Sequence, residues 1–277
     1  MSALPQFEPQ QKTVTLKHGG FWGMLKKEFN FDMSLIPAGW FWQGSKEDDQ
    51  FAEDAERPRH KVHFRRPYWM SSFPVTQELY STIMGVNPSA HSGILHPVES
   101  VSWYDAIRFC NALSRQFGME EAYNIGASIQ DERSEEATIV EWDRQVRGFR
   151  LPTEAEWEFA ARAMSKYRFA GSNKPSDVAW HKGNSTHGAH MVGLKRANDW
   201  GLYDMSGNIL EWCWDWHGSY SESELNDPNG STSGELKVAR GGSWQDVPER
   251  LRLTARHARA PYLRSDKIGF RVVIAAS

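Results

Sequence analysis

The sequence predicts an α+β fold of irregular, loop-rich character, with few helices and short strands. Thirteen tryptophans and 22 glycines among 277 residues favour ring burial and tight turns over long helical stripes. Three stretches combine helical apolar spacing with an N-terminal start signal. Trp212, Trp214 and Trp216 alternate, which is the period of a strand packing large rings on one face.

Taken from the N-terminus, His18 to Phe31 reads as a short amphipathic helix after Gly19 and Gly20. Phe21, Trp22, Leu25 and Phe29 would share its packed side. Met33 to Ser45 reads as a strand broken at Pro37 and Gly39. Residues 46–59, acidic and polar, read as a surface loop, and His60 to Trp69 as a further strand. Gln77 to Met84 is a helix with Thr76 as N-cap, ended by the run from Gly85 to Pro88.

The clearest helix runs from Trp103 to Phe117. Ser102 caps it, Asp105 complements its dipole, and Ala106, Phe109, Cys110 and Leu113 form its apolar face. Gly118 ends it. Residues 121–147 read as an insertion or a β-ribbon. Thr153 with Glu156 three residues later is a capping box, opening a third helix with Trp157, Ala160 and Ala161 inward. Glu154 and Glu158 would then lie on its solvated face.

The run from Gly201 to Trp216 organises the chain. Gly201 and Gly207 allow turns or close approach, while Asp204 and Glu211 bracket a Gly-Asn turn inside an aromatic run. Two carboxylates there need a partner that offsets their desolvation. A hard cation is one candidate, and the amides of the turn are another.

At this length the chain forms one large domain or two ordinary ones, and no repeat or low-complexity linker divides it. A formal net charge of −3 argues against a nucleic-acid partner, which would draw on a basic excess. Two cysteines make no disulfide framework. Cys110 and Cys213 read as packing. Residues 1–30 lack the basic start and apolar run of a secretory signal, and no segment reaches membrane-span length, so the expectation is a cytoplasmic protein with no membrane span. The G-x-S-x-G, H-E-x-x-H, C-x-x-C and P-loop patterns are absent. His181, His187 and His190 lie close together without the spacing of a zinc site and read as loop residues.

Longer motifs carry a resemblance. The run from Gly148 to Ala163 (GFRLPTEAEWEFAARA), the run from Gly201 to Trp212 (GLYDMSGNILEW), RGGSW ending at Trp244 and IGFRVV ending at Val273 resemble, in order, the sulfatase-modifying-factor family of formylglycine-generating enzymes. The resemblance spans residues 32–277, with 1–31 as an N-terminal extension packed on the domain. It implies an irregular, loop-rich variant of the C-type-lectin fold with structural calcium. One site would map onto Asp204, Gly207, Ile209 and Glu211, hard oxygen donors suited to calcium. The second expects an asparagine that Val178-Ala179-Trp180 does not supply.

In that family the reaction needs two copper-binding cysteines, three and eight residues after the serine of R-G-G-S. Counted from Ser243 these positions hold Asp246 and Leu251, neither able to supply a soft thiolate, so no catalytic residue is assigned. The segment from Gln245 to Lys267 also resembles the variable region of lectin-fold proteins diversified by retroelements. There R-G-G-S-W opens and G-F-R-V-V closes a stretch of exchangeable residues.

The expected ligand-binding set is therefore Arg250, His257, Arg259, Tyr262 and Arg264, with Trp244 and Asp246 beside them, since arginine and tyrosine give binding surfaces rigid contact area. Arg252 and Arg256 are expected as internal supports. The expected function is a protein presenting this surface to a protein or small-molecule ligand. A divergent oxidase or maturation enzyme acting on a peptide or small molecule is the alternative, and a regulatory partner of another enzyme is a third.

Overall fold

A computed structural model of the chain describes residues 9–18, 27–131, 134–231 and 233–276. It opens with an antiparallel hairpin, β1 (Gln11–His18) and β2 (Lys27–Ile36). This corrects the expected helix over His18 to Phe31: residues 27–31 are strand, and Phe21, Trp22 and Leu25 lie outside the described residues. The signal for the strand is the alternation Phe29-Asn30-Phe31-Asp32-Met33, whose apolar members face one way. Phe31 packs on Phe117 and Phe149, while Met33 is fully buried.

β3 (Gly39–Gln43), β4 (His60–Phe64) and β5 (Tyr68–Ser71) follow, so the single strand expected over His60 to Trp69 is two. The three helices fall where their caps predict. In α1 (Gln77–Met84) the Thr76 hydroxyl accepts from the Leu79 amide. In α2 (Trp103–Gln116) and α3 (Glu154–Arg162) reciprocal capping boxes form at Ser102/Asp105 and Thr153/Glu156. Between α2 and α3 a ribbon pairs β6 (Tyr123–Asp131) with β7 (Ser134–Trp142).

The remaining elements are α4 (Pro175–Val178), β8 (Leu210–Trp216), β9 (Leu225–Asn226), β10 (Lys237–Arg240), β11 (Arg256–Arg259), β12 (Ile268–Gly269) and β13 (Val273–Ala275). One four-stranded sheet runs β11-β10-β8-β12 and a second β1-β2-β5-β13. The first sheet matters most here. It holds the Trp-rich strand at its centre and secures residues 245–267 through β10 before it, β11 within it and β12 after it.

Alternation along these strands separates two cores. Trp212 and Ala239 join the α1/α2 cluster with Phe109 and Phe270. Cys213 and Val238 join the α3 cluster with Trp157 and Phe159. The Trp103 indole donates to the Cys213 carbonyl (2.9 Å) and the Trp212 indole to the Val101 carbonyl (3.0 Å), so these buried rings leave no polar atom stranded. The Lys237 ammonium lies 3.9 Å from the Trp103 ring centroid and 3.6 Å from that of Trp216. Burial draws its pKa down to about 7. Among the described residues no helix is long and apolar enough to cross a membrane.

Candidate functional site

The segment after β10 begins with a turn that only glycine can make. Gly241 and Gly242 have φ of 93° and 70°, and a Cβ on Gly242 would approach a Leu251 methyl to 2.4 Å. Asp246 Oδ2 then accepts from the Ser243 amide (2.8 Å) and hydroxyl (2.6 Å). Asp246, half-buried, is therefore a turn cap. Trp244, half-buried, donates its indole N–H to the Asp266 carbonyl, tying the two ends of the segment together.

Beneath the segment lies a frame of buried ion pairs. Arg252 bonds both oxygens of Glu56 (2.8 and 2.6 Å), Asp49 (3.1 Å) and the Phe51 carbonyl (2.6 Å). Arg256 grips Glu154 with Nε and Nη2 (2.6 and 2.7 Å). Arg240 bonds Glu158 (2.5 Å) and the carbonyls of Leu253, Thr254 and Ala255. Arg252 and Arg256 are thus internal supports, as their placement predicted.

Glu154 and Glu158 are buried, a correction to the solvated face expected for them. The helix can bury these acids because guanidiniums from β10 and β11 neutralise them. Burial alone would raise the Glu154 pKa, but the charges of Arg256 and Arg240 hold it below the usual carboxylate range.

The outward side chains are fewer than the sequence suggests. Tyr262 is 51% exposed and the Arg264 side chain also 51%, resting against Asp105 at 2.9 Å. Gln245 and Val247 are also exposed. Arg259 is half-buried and donates to its neighbour's carbonyl. Arg250 is only partly available, because it pairs with Glu53 and meets His257 Nδ1 at 3.1 Å. His257 is the clear correction. It is 1% exposed, and burial with the adjacent Arg250 charge lowers its pKa to about 4. It is a neutral spacer under the surface because β11 turns it inward.

The expected calcium ligands form a second buried cluster. Asp204 Oδ2 accepts from the Gly193 amide (2.8 Å), while Oδ1 is buried without a partner. Burial raises the Asp204 pKa to about 6. Glu211 is held by Arg271 through Oε1 and Oε2 (2.7 Å each) and by the Trp157 indole (2.7 Å). The Gly207 carbonyl accepts from the Ile209 amide.

An arginine thus already neutralises Glu211. Two buried carboxylates nonetheless face one guanidinium, and that surplus negative charge leaves Asp204 Oδ1 fitting either a hard cation or a proton. Among the described residues no group of three or more His, Cys, Asp or Glu is arranged to hold a metal. His190 stacks on Trp180 and His181 Nδ1 accepts from the Gly183 amide. Both cysteines are buried.

Sequence reasoning missed one group of residues, Arg59, Arg162 and Arg168. Arg59 comes from the stretch before β4, and Arg162 and Arg168 from the end of α3 and the loop after it; they line a common cavity that no local motif announces.

Comparison with known proteins agrees with this architecture. The solved structure of Treponema denticola variable protein 1 superposes with a TM-score of 0.83 at 32% identity, over 96% of this chain and 99% of that one. The chaperone protein LppX of Paenibacillus barcinonensis is 35% identical over 202 residues, 64% of this chain and 69% of that protein. The formylglycine-generating enzyme of Thermomonospora curvata is 27% identical over 284 residues, 86% of this chain and 92% of that protein. Few helices, short strands and glycine-shaped loops place the chain in the irregular C-type-lectin-like fold. Since residues 24–276 match the model of the sulfatase-modifying factor enzyme 1-like domain, the chain belongs to that family.

Proposed function

We propose that this protein is a binding protein whose contact surface is the exposed face of 245–267, centred on Tyr262 and Arg264 and flanked by Gln245, Val247, Trp244 and Arg259. The observation that carries it is the division of one segment into two populations. Arg252, Arg256 and His257 are locked beneath, whereas Tyr262 and Arg264 project from a backbone held at both ends. A rigid base with an aromatic and an arginine outward is the composition of interface hot spots. The Arg264–Asp105 pair is exposed and contributes little to stability, so Arg264 is free to serve a partner. The thiolate pair of the copper enzymes is replaced by Asp246 and Leu251, which turns the reading away from formylglycine chemistry.

Likeness to a variable protein supports a finer reading, in which this face is exchanged by a diversity-generating retroelement. Sequencing the coding segment across a population of the source organism tests it. Substitutions should cluster at 245, 247, 262, 263 and 264 and spare Arg240, Arg252 and Arg256. An even spread, or none, would refute diversification.

We also propose one structural calcium held by Asp204, whose buried Oδ1 has no hydrogen-bond partner, with the Glu211 carboxylate adding negative charge nearby. Without a cation, the raised Asp204 pKa means the folded state binds its proton more tightly than the unfolded state. That contribution is present at low pH and is lost as pH rises through about 6. Calcium, favouring the ionised form, should raise the melting temperature by several degrees at pH 7.5 and less at pH 5. Asp204→Asn should remove the response; an unchanged response in that variant assigns calcium elsewhere. Glu211 is the poorer test, because changing it also strands Arg271.

A further inference from the structure

A cavity of about 130 Å³ opens where the residues after β3, the loop after α3 and the pair Leu253-Thr254 meet. Lys46, Arg59, Arg162, Arg168 and Arg252 line it against one carboxylate, Asp49.

These cations differ in how much of their bonding capacity is already used. Arg252 is saturated by Glu56, Asp49 and carbonyl oxygens. Arg162 commits Nε and Nη2 to Glu158. Arg59 and Arg168 have no carboxylate partner among the described residues, and Arg59 Nε and Arg168 Nη2 are buried with no hydrogen bond at all. Buried guanidinium N–H groups are costly to leave unpaired. Both side chains are instead positioned by rings. Arg59 lies 5.5 Å from the Trp42 centroid and Arg168 4.4 Å from that of Phe51. Stacking uses the faces of the guanidiniums and leaves their N–H edges for something else.

We propose that this cavity binds the tetrahedral oxyanion of a phosphate or sulfate ester. Forked guanidinium donors match such oxygens in geometry and charge. The volume is below the roughly 300–1,000 Å³ of an ordinary ligand pocket, so it takes one charged group while the rest of the ligand lies outside. Tyr167 lines the cavity, and Trp42 and Phe51 lie against Arg59 and Arg168; each is at least 40% exposed and offers apolar surface for that remainder. Burial and the nearby charge of Arg162 also lower the Arg59 pKa, against the opposing charge of Glu158.

Melting curves and calorimetry of the full chain, with sodium phosphate, sulfate or acetate replacing chloride at constant ionic strength, test the assignment. Phosphate or sulfate should give a saturable rise in melting temperature, and the stronger of the two identifies the ester. Acetate, a planar anion, should do little. Arg59→Gln and Arg168→Gln should each weaken binding by about tenfold or more, and Arg168→Lys, which keeps the charge but loses the fork, should weaken it too. Tyr262→Ala should bind the anion normally, so this result stands apart from the surface proposal. No saturable response, an equal response to acetate, or a response that survives in the Arg59→Gln/Arg168→Gln double variant overturns the site.

Discussion

Replacing Arg240 by alanine is expected to destabilise the domain by about 3–5 kcal/mol, because it strips buried Glu158 of one of its two guanidinium partners, Arg162 being the other, and leaves buried carbonyls unpaired. Arg240 is fully buried, and its partner Glu158 is too. Its guanidinium also satisfies three consecutive carbonyls, Leu253 to Ala255. The substitution therefore unties α3 from β10 and releases the inner edge of the 252–256 turn at once. Lysine should not rescue it, since a point charge cannot serve a carboxylate and three carbonyls together. Denaturant midpoints of purified protein measure the effect. A shift below about 1 kcal/mol, the range of ordinary hydrogen bonds, would remove Arg240 from the frame.

Arg252→Ala should cost a similar ~3–5 kcal/mol and carry a pH signature of its own through Glu56. Burial pushes the Glu56 carboxyl up, but the hydrogen bonds and charge of Arg252 hold it down at about 2 against the usual 4.5. A carboxylate with a depressed folded pKa adds stability that is present above pH 4.5 and is lost as pH falls towards 2. The wild type should lose stability steeply across that window, and the variant should lose much less. Changing Tyr262 or Arg264 to alanine should leave melting nearly unchanged at every pH, as exposed substitutions usually do. If Tyr262→Ala unfolds the domain while Arg252→Ala does not, the inner and outer faces of the segment have been exchanged.

Much of this architecture is legible in the chain because it is written locally. Capping boxes at Ser102 and Thr153 mark helix starts by chemistry within four residues, and the alternating tryptophans declare β8. Glycines before Ser243 announce a turn that a Cβ would block. What escaped depends on distant partners. Arg162 lies one helical turn from Glu158 and pairs with it, but nothing near Glu158 in sequence reveals its second, fully buried partner, Arg240, 82 residues away. His257 sits among arginines in a polar segment, and only the pairing of β11 with β10 shows that it faces inward. Glu211 was rightly read as needing a partner to offset its desolvation, yet that partner is Arg271, 60 residues on. The strand at Phe29 to Met33 is hidden for a different reason: a helical spacing that includes Phe21 and Trp22 overlies a plain two-residue alternation.

The most direct test of the binding surface is positional. A photo-crosslinking residue placed singly at 245, 247, 262 or 264, and at the exposed control positions 94, 164 and 194, would be activated in the native host. Covalent adducts should form from the first group and be absent from the controls. Adducts from the controls alone, or from no position at all, would contradict the assignment of 245–267 as the contact surface.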